Sequence, residues 1–450
     1  MNLISKYNVA APRYTSYPTV PYWGAAPSQE EWKEAVANCF KKTNTSHGIS
    51  IYIHLPYCES LCTYCACNTR ITVNHKVEKP YIDTLIKEWK LYLDVFASKP
   101  RIKEVHLGGG TPTFFSPENL QLLLRTIFES GTIAPDAEFS FEAHPNHTSE
   151  EHLKTLYDLG FKRVSFGIQD FDAVVQDAIN RMQSFEQVKD VVAMARNIGY
   201  DSINFDLIYG LPFQTQKGLS QTIEQVVQLK PDRIAFYSYA HVPWLKPGQR
   251  KFTEKDLPVD LEKRNLYEMG LSAFEKNGYK AIGMDHFALP NDELFHAQEK
   301  GSIHRNFMGY TTSFTKLLVG LGASSIGDTW DGFMQNIKTV EGYIEAIEKN
   351  EFPIFKGHLL SHDDLILRKH ILNIMCHGKT AWFNELMQCE GLYKGLERLE
   401  ELKHDKLVTV HHNQLEVTEL GQAFLRNICL CFDELYWKKT PEAKIFSSAV

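Results

Sequence analysis

Between about Ser50 and Ser238, short apolar runs of strand length alternate with longer segments whose apolar residues recur every three or four positions. That alternation predicts parallel β/α units. The strand-like runs fall at residues 49–54, 103–107, 138–143, 163–168, 202–208 and 233–238. Helical spacing over 80–98 puts Leu85, Trp89, Leu93 and Phe96 on one face. Ser116 before Pro117 reads as an N-cap followed by a first-turn proline. Thr148 with Glu151 and Ser184 with Gln187 read as capping boxes, their helices closed by Gly160 and Gly199. Six consecutive units fit an incomplete parallel barrel better than a doubly wound sheet. In such a barrel the chemistry sits at the C-terminal ends of the strands. Gly108 to Thr111, Glu142, Gln169 and Asp206 all fall there.

From about Ala240 to Glu351 the elements are mixed and include the polar-aromatic stretch His304-Arg305-Asn306-Phe307. After about Ser361 the pattern turns helical, with a hairpin expected at 407–410 and 414–417. Helices followed by such a ribbon suggest a winged-helix-like module. Three divisions are therefore expected: an N-terminal arm (1–45), a catalytic α/β domain (46–355, with its β/α core at 48–240) and a helical C-terminal domain (356–450).

Composition narrows the function classes. The chain has 450 residues, 43% of them apolar and 23% charged, as in ordinary globular proteins. A net charge of −7 argues against non-specific binding to nucleic acid or anionic membrane. The winged-helix-like region carries 11 Lys and Arg against 13 Asp and Glu, so it has no basic footprint. No run approaches a membrane span, and the first residues lack the apolar core of a secretory signal. The nine cysteines are odd in number and clustered, unlike a disulfide framework. A reducing, cytoplasmic setting is expected, and a monomer, since no sustained heptad stands out.

Four of those cysteines lie within ten residues, as Cys58-x3-Cys62-x2-Cys65-x-Cys67. Thiolates this close suit a soft metal or an iron–sulfur cluster. A structural zinc site favours separated pairs, and a ferredoxin run has equal gaps of two. A zinc knuckle or a redox-sensing nest is the alternative. The gap of three followed by two resembles the radical S-adenosylmethionine (SAM) signature. In that superfamily three cysteines hold a [4Fe–4S] cluster whose fourth iron stays open for SAM.

Further blocks narrow the resemblance. Pro12-Arg13-Tyr14-Thr15-Ser16-Tyr17-Pro18-Thr19, Gly108-Gly109-Gly110-Thr111-Pro112, Gly167-Ile168-Gln169-Asp170-Phe171 and Asp206-Leu207-Ile208-Tyr209-Gly210-Leu211-Pro212 are among them. So are Gly283-Met284-Asp285-His286-Phe287-Ala288, His304-Arg305-Asn306-Phe307, Gly309-Tyr310-Thr311-Thr312 and Asn427-Ile428-Cys429-Leu430-Cys431-Phe432-Asp433. With these the chain resembles the oxygen-independent coproporphyrinogen III oxidase family over nearly its whole length. The resemblance implies a radical SAM barrel that oxidatively decarboxylates two propionates of coproporphyrinogen III to vinyl groups, giving protoporphyrinogen IX. It implies a low-potential electron donor of flavodoxin or ferredoxin type and a separate electron acceptor. It assigns Cys58, Cys62 and Cys65 to the cluster, and these with Glu142 to catalysis. Tyr52, Gly109, Glu142, Ala240 and Ile326 match positions at a first SAM. Tyr64, Gly110, Thr111, Gln169, Arg181 and Asp206 match a second SAM, whose space the substrate could share.

Cys67 is not expected on iron, because a fourth thiolate would close the SAM position. Arg13 and Arg305 are candidate partners for substrate carboxylates, with the Arg13 segment folding over the site's mouth. Locally the chain departs from the family at Ala143-His144-Pro145-Asn146 and at Met308. Two related functions remain alternatives: a haem-binding chaperone, and an anaerobic radical SAM methyltransferase that opens haem.

Overall fold

The computed structural model describes residues 3–439 together with Phe446 and Ser447. Six parallel strands follow one another as expected: β1 (Ile49–Leu55), β2 (Arg101–Gly109), β3 (Thr132–Ala143), β4 (Arg163–Gln169), β5 (Ser202–Tyr209) and β6 (Arg233–Ser238). The sheet then grows at both edges. At one edge β7 (Lys280–Ile282) and β8 (His286–Ala288) add antiparallel to β6. At the other, β9 (Leu317–Leu321) pairs parallel with β1. Beyond it lie β10 (Ile326–Asp328), β11 (Gly332–Asn336) and β12 (Ile354–Leu359), all antiparallel. The order β12-β11-β10-β9-β1-β2-β3-β4-β5-β6-β8-β7 leaves the barrel incomplete.

The burial of β1 shows why this segment is central. Ile49, Ile51, Ile53 and Leu55 are fully covered by Trp89, Leu85 and neighbours from the surrounding helices. The alternate residues Ser50, Tyr52 and His54 stand in register with Glu104, His106 and Gly108 of β2. Side chains in a strand alternate faces, so the polar set lines the inside of the barrel and the apolar set meets the helices.

The local signals for the helices hold with one correction. Ser116 caps the helix Pro117–Glu129, Ser184 and Gln187 form a capping box, and Gly199 closes that helix at φ 114°. The expected box at Thr148 and Glu151 lies one residue later. Ser149 accepts from the His152 N–H, and the His152 ring accepts from the Ser149 N–H, both at 3.2 Å. The Thr148 hydroxyl instead donates to the His144 carbonyl at 2.8 Å.

At the C-terminal end, the helix His362–His377 and a ribbon of Lys379–Ala381, Val408–His411 and Gln414–Val417 make the winged-helix-like region. Its core takes in Tyr7, Tyr14 and Tyr17 from the N-terminus. The helix Gln29–Thr43 packs instead on the main core through Trp32, Val36 and Phe40. No helix among the described residues is long and apolar enough to cross a membrane.

One buried carboxylate ties the β9 edge to the helical layer. Glu88, fully covered on the helix Glu78–Val95, accepts from Gly322 N–H (2.7 Å), Asn336 Nδ2 (2.6 Å) and the Tyr343 hydroxyl (2.6 Å). Burial pushes its carboxyl up to about 7, although all three donors favour the ionised form. Glu88→Gln has one acceptor oxygen for these donors and turns its amide towards some of them. It should cost about 1–3 kcal/mol in urea unfolding at pH 5. The folded pKa lies above the unfolded value, so the wild type loses stability as pH rises towards 7. The gap between the two proteins should therefore narrow by pH 8.

Candidate active site

β1 ends at Leu55, and the chain passes through Pro56 into the cysteine loop. Tyr57 and Cys58 pair with Arg70 and Ile71, so both ends of the loop are tied together. The far side leans on the end of β2. Gly110 N–H donates to the Leu55 carbonyl at 2.8 Å, and Thr111 N–H to the Tyr57 carbonyl at 3.0 Å. A Cβ at residue 110 would lie 2.6 Å from the Pro56 carbonyl oxygen. At residue 109, where φ is +114°, it would lie 2.6 Å from the His54 ring. Glycine is required at both positions.

Further bonds hold the loop from outside. Thr63 N–H donates to the Ile179 carbonyl (2.9 Å), Gln249 Nε2 to Tyr64 (3.1 Å) and Lys246 Nζ to Cys67 (3.0 Å). From beneath, His54 Nε2 donates to the Asn68 carbonyl at 2.8 Å, and its Nδ1 faces the Tyr52 hydroxyl at 3.1 Å. Burial holds the His54 ring below its ordinary pKa.

These elements enclose a cavity of about 250 Å³ at the C-terminal ends of the strands. Cys58, Cys62, Cys65 and Tyr64 line one side, and Gly109, Gly110 and Thr111 the floor beside them. Glu142, Gln169, Arg181 and Asp206 complete the wall. Three expected residues lie outside this lining. Tyr52 sits behind Glu142, its ring stacked on His106. Ala240 accepts from the same Gln249 amide that holds Tyr64. The Ile326 carbonyl packs against Gly320, the register partner of Tyr52.

The charges are arranged by neighbours. Glu142 Oε2 accepts from Gly109 N–H at 3.1 Å, while Oε1 lies 3.6 Å from His106 Nε2. Burial works against its ionisation, but His106, Gly109 and His54 together hold its carboxyl below the usual range. Some 43% of the side chain is uncovered, and the residue faces the cavity. Asp206 behaves oppositely. Burial and the nearby Glu142 push it up to about 6, against donors from Ser165 and Asn204, each at 2.9 Å.

Arg181 donates to the Gly167 carbonyl (2.6 Å) and to Cys62 Sγ (3.6 Å). Its Nε is buried with no hydrogen-bond partner among the described residues. The Cys65 thiol is pushed down to about 6 by a hydrogen bond from Cys67 and by Lys246 and Arg181, whereas burial pushes Cys58 up to about 11.

The donor set suits a cluster with an open position. Three thiols from one loop face a common space, soft donors for iron. Among the described residues, no three His, Cys, Asp or Glu side chains converge on one ion, whereas in a four-iron cluster each thiolate meets a different iron. Beside them, a glycine floor admits close approach, Arg181 Nε offers an unused donor, and Glu142 offers a charged acceptor.

Several lining residues were given no role from the sequence: His147, Ser165 and Tyr237, with His144 noted only as a departure from the family. His54 and His106 behind the wall were also missed. The signal for the strand residues was the polar alternation along β1 to β5, which marks the inner face. His144 and His147 follow β3 and carry no such periodic mark. Burial and Arg181 hold the His144 ring down to about 2, so it is neutral.

Residues 52–226 match the radical SAM superfamily model. An oxygen-independent coproporphyrinogen III oxidase from Helicobacter pylori is 39% identical over 435 residues, 95% of each chain. One from Synechocystis is 38% identical, spanning all of this chain and 97% of the relative. The solved structure of the Escherichia coli coproporphyrinogen III oxidase, described as a radical SAM enzyme, superposes with a TM-score of 0.88 at 35% identity. That match covers 94% of this chain and 97% of the other.

Gly110→Ala should displace the Pro56 carbonyl and loosen the cysteine loop, lowering iron retained after reconstitution about tenfold. Gly278→Ala, at φ +89° but with nothing within 4 Å of its Cβ, should leave iron content unchanged. Colorimetric iron and sulfide assays on both variants check this.

Proposed function

The chain belongs to the oxygen-independent coproporphyrinogen III oxidase family of radical SAM enzymes, and from that membership we infer that it converts two propionates of coproporphyrinogen III to vinyl groups without molecular oxygen. The product is protoporphyrinogen IX, and the two carboxylates leave as carbon dioxide. When bound, the [4Fe–4S] cluster and SAM supply an electron-driven cleavage to methionine and a 5′-deoxyadenosyl radical, which takes a hydrogen atom from a propionate β-carbon.

The side chains of this protein do the positioning. Cys58, Cys62 and Cys65 would hold the cluster through three thiolates, leaving room for SAM. Glu142, kept ionised, receives an ammonium or ribose hydroxyl, with Tyr52, Gly109, Ala240 and Ile326 framing the first SAM. Tyr64, Gly110, Thr111, Gln169, Arg181 and Asp206 hold a second SAM or part of the substrate. Arg181 Nε suits a carboxylate. The convergence of three thiols, Arg181 and Glu142 on one cavity supports this reading most directly.

Each SAM cleavage consumes one electron, and each decarboxylation releases one. A flavodoxin- or ferredoxin-type donor and a separate acceptor therefore complete the cycle. We place the reaction in the reducing cytoplasm, where the nine free cysteines stay reduced, in a monomer. The division proposed is an arm (1–45), a catalytic domain (46–355) and a C-terminal helical domain (356–450), with the helix Gln29–Thr43 packing on the catalytic core and β12 (Ile354–Leu359) completing its sheet.

The test is anaerobic turnover of reconstituted protein with SAM, a strong reductant, an electron acceptor and coproporphyrinogen III. Protoporphyrin (after oxidation) and 5′-deoxyadenosine should form together, and both should fall to background in Cys62→Ala. Deoxyadenosine without decarboxylation would mean another substrate. Neither product from protein with an intact cluster would refute the assignment.

A further inference from the structure

We propose that Arg13 and Arg305 form a carboxylate-anchoring subsite at the rim of the barrel, holding the propionates that are not reacting. The proposal rests on the substrate reading above and adds where its other acid groups are held.

Arg13 reaches the rim from the N-terminal segment. Its Nη2 donates to the carbonyl of Ser238, the last residue of β6, at 2.6 Å. Its guanidinium lies 5.9 Å from the centre of the Tyr237 ring, and Tyr237 lines the cavity. The nearest carboxylate, Asp285, is 3.9 Å from Nη1, too far for a hydrogen bond, and 30% of the Arg13 side chain is uncovered. Arg13 is therefore anchored and next to the cavity wall, yet has donor capacity left.

Arg305 stands behind it. It is 4% exposed, stacks on the Tyr310 ring at 4.4 Å and donates from Nη2 to the Arg13 carbonyl at 3.4 Å. Its Nε and Nη1 are buried and have no hydrogen-bond partner among the described residues. Leaving two N–H groups of a buried cation unpaired is unfavourable unless a ligand completes them.

Local charge points the same way. Asp285 is already bonded to His286 Nδ1 at 2.7 Å. Arg13 Nη1 lies 3.9 Å from Asp285, and the Arg305 charge acts on the same carboxylate, leaving positive charge beside the cavity wall. Coproporphyrinogen carries four propionates around its ring. While one sits at the reacting centre, the others leave water too, and each needs a cationic partner. The planar guanidinium fork fits a carboxylate in two-point contact. A simple brace for the N-terminal segment would use the Ser238 and Arg13 carbonyl bonds, but would not require two unpaired donors.

The test is binding of coproporphyrin III, the stable oxidised tetra-acid, to full-length reconstituted protein, followed by quenching of porphyrin fluorescence. Its uncharged tetraamide is the control ligand. Arg13→Gln should weaken the tetra-acid about tenfold and leave the tetraamide unchanged, with Arg13→Lys recovering part of the loss. Arg305→Lys, which keeps the buried charge but loses the fork, should weaken the tetra-acid with an unaltered thermal melt. Equal loss of both ligands, or undiminished binding of the tetra-acid by the Arg13 variants, would overturn the subsite while the substrate reading stands. Wild-type protein that binds the tetraamide as tightly as the tetra-acid would overturn both.

Discussion

Gly110 and Thr111 donate their N–H groups to the carbonyls of Leu55 and Tyr57, pressing the start of the cysteine loop against the end of β2. That contact has no room for a side chain at residue 110. The rest of the site is placed by it. With the loop fixed there, Cys58, Cys62 and Cys65 look across one cavity at Glu142, Gln169 and Asp206, which three successive strands deliver. Thiols presented from a free loop could be bridged by many metals. Here the strand registers fix which side chains stand across the cavity from the thiols.

Inside the barrel, polar residues stand beside polar residues row by row. Tyr52 is in register with His106, His106 with Ser140, Glu142 with Ser165 and Ser165 with Asn204. The rows set the two carboxylates apart. Glu142 has basic and N–H neighbours and stays ionised, whereas Asp206 is raised by burial and by Glu142 itself. Two acids 64 positions apart in the chain thus titrate in different ranges, Glu142 below the usual carboxylate range and Asp206 at about 6.

Much of this was legible in the chain. Strand-length runs rich in apolar residues located all six parallel strands of the core, because the helix-facing side of each strand is buried. Glu142 and Gln169 followed from being polar at strand ends, whereas Asp206, expected there too, lies three residues before the end of β5. The partner on the free edge of β1 was not legible. Leu317–Leu321 joins a strand more than 260 residues earlier, and no local pattern encodes so distant a pairing. The capping box at Ser149 was misplaced because His152 serves in the position where Glu or Gln is usual. Ala240 and Ile326 were expected on the strength of the resemblance. Neither lines the cavity: the Ala240 carbonyl shares the Gln249 amide with Tyr64, and the Ile326 carbonyl packs against Gly320 beside Tyr52. Tyr237 ends a strand, but its place beside Arg13 depends on packing between the chain's two ends.

The most direct measurement is electron paramagnetic resonance of the reduced, reconstituted protein, with and without SAM labelled with ¹⁷O in the carboxylate and ¹⁵N in the amine. Assignment of Cys58, Cys62 and Cys65 as the iron ligands, with the fourth iron open, predicts hyperfine coupling from both labels and an unaltered cluster in Cys67→Ala. A cluster signal indifferent to SAM, or lost when Cys67 is removed, would contradict it.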